Sequence, residues 1–87
     1  MEKSISEKSF SYSTSKAEPE LYSYYVGEME RFGWDMVGNS ITDETVILFE
    51  KPYKTAVISF RKGRKGSIVR IDLIQKSIKI NALADLN

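Results

Sequence analysis

The chain has 87 residues, with 13 Lys and Arg against 12 Asp and Glu for a net charge of +1. That leaves room for one core and gives no global pull toward nucleic acid or an anionic membrane. It contains no cysteine and no histidine, which removes disulfides, thiolate nucleophiles, and the commonest general base and metal ligand near neutral pH.

A chain this short buries only about 60–65% of its unfolded surface, so modest stability is expected. No apolar run approaches the roughly 20 residues of a membrane-spanning helix. The opening MEKSISEKS lacks the apolar centre of a secretory leader. The expectation is a cytoplasmic protein as the sequence stands, or an envelope protein if a leader once preceded Met1.

Taken in order, residues 1–8 read as a frayed polar lead-in, 9–76 as a single folded core, and 77–87 as a tail. Ile78 and Ile80 in that tail could extend a strand, and the following NALADL could make one helical turn. Phe10, Tyr12 and Thr14 alternate with serines, and period two predicts a half-buried strand whose serine face suits solvent or a sheet edge.

Glu18 to Trp34 then carries the only long helical pattern. At 100° per residue, Leu21, Tyr22, Tyr25, Val26, Met29 and Phe32 share one side, a stripe wide enough to seat a helix on a sheet. Pro19 suits the first turn, Glu18 and Glu20 complement the positive helix end, and Gly33 is placed to stop the helix in a left-handed conformation. Gly27, on the polar side, predicts either a helix weakened by roughly 1 kcal/mol or a close approach by another backbone. Trp34 is expected to anchor the corner between helix and sheet, mostly buried.

Four further strands follow: Trp34–Asn39, Thr45–Lys51, Lys54–Arg61 and Ser67–Gln75. Residues 40–44 and Pro52-Tyr53 form turns, and a glycine-containing loop covers Lys62–Gly66. The Thr45–Lys51 strand is apolar on both faces and is expected at the sheet centre. Val69, Ile71 and Leu73 should face the core, with Arg70 and Asp72 outward. Three short connections in succession dictate an antiparallel meander. The fold class is therefore α+β: two layers, an antiparallel sheet of four to five strands with one helix on one face, in the order β-α-β-β-β(-β).

One helix covers one face only. Val57, Ile68 and Ile74 would lie on the other, and Tyr24 sits among the polar residues of the helix; these four are candidate protein contacts. The segment Ile78 to Leu86, a second copy or a different protein could cover that face; the segment is short and half polar, so a protein partner or a homodimer is expected, because an apolar patch of a few hundred Å² marks a contact surface. The basic loop supplies the second candidate site. Arg61, Lys62, Arg64 and Lys65, with Arg70 and Lys54 nearby, could bind phosphates of RNA or DNA with steep salt dependence. Tyr53 or Phe60 would be available to stack bases. Asp43, Glu44 and Glu50 do not have the spacing of a calcium loop. No serine has a histidine to activate it. The sequence therefore predicts no catalytic residue, no cofactor and no metal site.

Two resemblances enter on particular residues. The aromatic-serine strand Phe10–Ser15, Tyr24-Tyr25, Glu30, Gly33-Trp34, Leu48–Lys51 and Val57-Ile58 together resemble small bacterial envelope domains of unknown function, often lipoprotein-like. The resemblance implies an envelope location and an interaction role, although the lipid-attachment cysteine is missing. Glu30–Trp34, Val37, Ser40, Phe49–Pro52 and Val57 look similar to HicA-type RNA-cleaving toxins. Their double-stranded-RNA-binding-like fold implies RNA contact, but the catalytic histidine has no counterpart here, and the Phe10–Ser15 strand would be an addition. The reading that follows is a non-catalytic interaction domain, with an RNA- or DNA-binding module acting through residues 61–66 as the alternative.

Overall fold

The computed structural model describes residues 5–76. Six elements follow one another: β1 (Ile5–Thr14), α1 (Glu18–Arg31), β2 (Asp35–Ile41), β3 (Glu44–Lys51), β4 (Lys54–Lys62) and β5 (Ser67–Lys76). All four ladders are antiparallel and the strand order is β1-β5-β4-β3-β2. The chain is an α+β domain, a five-stranded antiparallel sheet with one helix. Strands β2 to β5 form the expected meander, and β1 closes onto β5. The helix carries the chain from one edge of the sheet to the other.

Burial divides the sheet cleanly by parity. Ile47 and Phe49 of β3, Ala56, Ile58 and Phe60 of β4, and Val69 of β5 are buried on one face, with Leu21 of α1 set among them. The ladders explain the clustering, because Ile47, Ile58 and Ile71 lie on one rung and Phe49, Ala56 and Leu73 on the next. Side chains on one face alternate with those on the other, so a single phase of period two builds the whole core. Tyr22, Tyr25, Val26, Met29 and Trp34 pack against this cluster from above.

The helix start shows the expected proline and acids in its first turn, but Ala17 at the cap position provides no side-chain hydrogen bond. Instead the Glu18 carboxylate accepts from Thr45 Oγ1 at 3.1 Å and ties the first turn to β3. The helix end is a Schellman motif. Trp34 N–H donates to the Met29 carbonyl at 2.9 Å and Gly33 N–H to that of Glu30 at 3.0 Å. Gly33 has φ +89, the left-handed conformation this motif requires. The side chains of Trp34 and Met29 both reach the core, the apolar contact that usually accompanies the motif.

Several expectations are corrected. The lead-in is shorter than 1–8, because β1 begins at Ile5 and its register with β5 runs unbroken to Thr14. The tail, 77–87, and residues 1–4 lie outside the described residues. The second strand is Asp35–Ile41, so the following turn shrinks to Thr42-Asp43. The strand apolar on both faces, β3, is interior but not central; β4 holds the centre. Phe32 is 60% exposed, because it caps the helix after the last turn and swings away, beneath the Arg31 guanidinium. Gly27 is exposed, and a Cβ there would meet nothing within 4 Å, so no backbone approaches it. Phe10 and Tyr12 do face the helix side, yet they remain 51% and 42% exposed. The helix lies over β2 and β4 and does not roof the β1 edge.

Candidate protein-interaction site

The face away from the helix has two unlike halves. On β3 and β4 it carries Val46, Leu48 and Val57, with Leu48 opposite Val57 on one rung. Leu48 is 37% exposed and its two neighbours are half-buried. Ser59, at the middle of the sheet, is itself buried. Among the described residues no element lies over this half. Ile68 and Ile74 stand near the two ends of β5 on the same face, both half-buried. Three of the four candidate contacts, Val57, Ile68 and Ile74, are therefore brought to one face. Leu48, read as apolar on this side of its strand but not singled out, is the most exposed aliphatic residue on it. Its signal was the double-sided apolar pattern of β3.

On β5 and β1 the same face is polar. The Arg70 guanidinium contacts both carboxylate oxygens of Asp72 at 3.1–3.2 Å, and Ser9 Oγ donates to Asp72 from the neighbouring strand. The Ser9 hydroxyl is the main influence holding the Asp72 carboxyl below the ordinary aspartate range, with Arg70 adding to it and partial burial opposing both. Ser11 faces Arg70 across the ladder.

Tyr24, the fourth candidate, belongs elsewhere. It is 57% exposed on the helix and packs edge-on against Tyr25, with ring centres 5.1 Å apart. The Tyr25 hydroxyl meets that of Tyr12, and its ring stacks on Phe60. Burial first, then the contact with Tyr12, push the Tyr25 hydroxyl well above the ordinary tyrosine range. Tyr24, Tyr25, Tyr12 and Phe10 thus form an aromatic strip along the flank where the helix layer stops short of β1.

The basic loop is built differently from its expected form. Gly63 to Gly66 form the tip, closed by a 2.8 Å bond from Gly63 N–H to the Gly66 carbonyl. A Cβ on Gly66 would sit 2.1 Å from the Thr14 carbonyl oxygen, so the loop presses backbone to backbone on the β1–α1 connection. Ser67 Oγ donates to the Lys16 carbonyl at 2.8 Å and locks that contact. All four loop cations are exposed. However, Arg61 and Lys62 alternate on β4 and point to opposite faces. Lys62 and Arg64 line one open cleft of about 850 Å³, and Arg64 and Lys65 a second of about 430 Å³. Lys54 and Tyr53 lie at the opposite end of β4, and Phe60 is fully buried, so the expected stacking partners are not beside the loop. Arg70 is engaged with Asp72. The acids Asp43 and Glu44 stand at one end of β3 and Glu50 at the other, about 20 Å apart along an extended strand. Among the described residues no group of three acidic side chains is placed to hold a metal ion, and no helix is long and apolar enough to cross a membrane.

No known protein-family model matches the chain, and no curated protein matches it.

Proposed function

We propose that this chain is a non-catalytic protein-interaction domain, of the kind its helix-Gly-Trp-strand pattern resembles among small bacterial envelope domains. Its helix-free sheet face takes the apolar surface of a partner protein. The observation that carries the reading is the Leu48–Val57 rung, an aliphatic pair with Leu48 exposed and Val57 half-buried, on a face that no described element covers. Water around such a pair is displaced favourably when a matching surface docks, at roughly 25 cal/mol per Å² of apolar area before the entropic costs of association. The polar half, with its internally satisfied Arg70–Asp72–Ser9 group, would form the rim. The basic loop supports an RNA reading less well, since Arg61 and Lys65 stand apart from the cleft shared by Lys62 and Arg64, and its one aromatic lining residue, Tyr22, is half-buried.

A photo-crosslinking side chain at Val57 tests this in the protein's own host. The expected result is a defined protein adduct that disappears when Leu48→Lys is added and does not form from the same probe at Tyr53, which is exposed in the turn between β3 and β4. An adduct from Tyr53 and none from Val57 would overturn the reading.

A further inference from the structure

The two edges of the sheet are not equally protected, and the unprotected one is self-complementary. At the β2 edge the register with β3 shifts between Met36 and Gly38, leaving Val37 as an extra, bulged residue. Bulges of this kind twist an edge and blunt its pairing. At the β1 edge the register runs without a shift over ten residues, from Ile5 to Thr14. It contains no proline or glycine. Its outer row of backbone N–H and C=O groups is unpaired among the described residues, and such a row is a template for another strand.

Chemistry at this edge points to what pairs there. On the helix side, Phe10 and Tyr12 are half-exposed with Tyr24 beyond them. On the other side Ser9, Ser11 and Ser13 follow Glu7, which in the register below would face an uncharged serine. We propose that β1 pairs antiparallel with β1 of a second copy, about a two-fold axis through Ser11, joining two sheets into one of ten strands. In that register Phe10 faces Tyr12 of the second copy, Ser9 faces its Ser13, and Lys8 faces its Thr14. Aromatic pairs thus meet twice on the helix side, no like charges oppose one another, and the small serines let the backbones approach on the other side. Aromatic cross-strand pairs are among the most favourable in antiparallel ladders. A two-fold contact of this kind satisfies both β1 edges at once and leaves only the bulged β2 edges at the two ends. The helix layers flank the junction, so the aromatic strip that α1 leaves unroofed is covered by its symmetry mate. The arrangement rests on reading the chain as an interaction domain, and it leaves the Leu48–Val57 surfaces of both copies free on one continuous face.

The chain has no cysteine, so single-cysteine variants report contacts cleanly. Ser11→Cys places two thiols across the proposed axis and should give a disulfide-linked dimer under mild oxidation, whereas Ser40→Cys on the β2 edge should not. Sedimentation of the unmodified protein at tens of micromolar should show a dimer. Ser11→Glu puts a carboxylate opposite Arg70 within one copy, which spares the fold, and opposite its own mate across the axis. Dimer affinity should fall about fivefold, and mixing with Ser11→Lys should restore it. A dimer that ignores Ser11→Glu and does not cross-link through Ser11→Cys would overturn the edge pairing, and would assign the contact to the helix-free face. A monomer would overturn it as well. Slow amide exchange along β1 would then give the edge to residues 77–87, and fast exchange would leave it bare. A Val57 adduct to a different protein would stand under every one of these outcomes, because Val57 lies on the other surface.

Discussion

β1 and β2 bound the same sheet and run in the same direction, yet they are held and finished in different ways. β2 is entered through the Schellman turn, with Trp34 on the core and the Lys51 ammonium 5.0 Å over its ring, and its free edge is broken by the Val37 bulge. β1 has no comparable anchor beyond its ladder with β5; to that it adds Ser9 on Asp72, Tyr12 on Tyr25, and the Thr14–Lys16 connection wedged against Gly66 and Ser67. Its free edge is straight. The lesson is that the Trp34 anchor and the blunted edge go together on one side, while the other side has a straight edge that is unpaired among the described residues.

Breaking each anchor in turn sharpens that contrast. Trp34→Ala should have the largest effect, a loss of about 3 kcal/mol. The value sits at the low end for an aromatic deletion because Trp34 keeps some exposure. Urea denaturation should show an earlier midpoint with an unchanged slope. Amide exchange should accelerate first in β2, and a variant as stable as the parent would mean that the Schellman turn alone holds that side.

Gly66→Ala comes next, at about 2 kcal/mol, because the backbone at Thr14-Ser15 must shift to admit a methyl group. Here the faster exchange should appear at the C-terminal end of β1 and leave β2 unchanged. A crystal structure of the variant with that connection unmoved would contradict the wedge.

Asp72→Asn should cost least, about 1 kcal/mol, as the group is partly solvated and screened. The pH dependence has a definite sign. The folded-state carboxyl titrates below its ordinary value of 3.8, so its stabilisation is present above that value and is lost as pH falls through the lowered one. Stability of the parent should therefore decline in acid more steeply than that of Asp72→Asn. Parallel curves would show that the Ser9 and Arg70 contacts contribute nothing.

Much of this arrangement was legible in residue order. The helix stripe from Leu21 to Met29, the stop at Gly33-Trp34, the meander, and the alternating faces of β5 follow from periods of 3.6 and 2 and from glycine's access to positive φ. What escaped has a common physical origin in partial burial and long-range pairing. The start of β1 was hidden because Glu7, Lys8 and Ser9 lie where no helix covers them, so no apolar period marks the strand. Its place beside β5 is a pairing between distant residues, which local pattern does not encode. The basic residues 61–65 read as one cluster along the chain, but the pleat of β4 sends Arg61 and Lys62 to opposite faces. Tyr53 and Lys54 are near the loop only along the sequence; they stand at the far end of the nine-residue β4. Tyr24 was singled out for breaking the helical stripe, and its place in the aromatic strip depends on Tyr12, contributed by a different strand.

The pairing of β1 with β5 also sets an order of assembly. Ile5 lies opposite Lys76, and Thr14 opposite Ser67, so every rung of this ladder joins residues more than fifty positions apart. The meander from β2 to β5 closes through tight local loops and can zip early. β1 must wait until the last strand exists, and it then docks by closing one large loop, an entropically slow step. During that interval β5 offers an open edge to whichever β1 arrives first. In dilute solution the tether through α1 favours the chain's own strand; in a crowded refolding mixture a neighbour's strand competes for the same seat, exchanging arms between two otherwise complete domains. Rapid refolding at low concentration and slower, concentration-dependent recovery at high concentration would be the kinetic trace of a sheet whose first strand is fitted last.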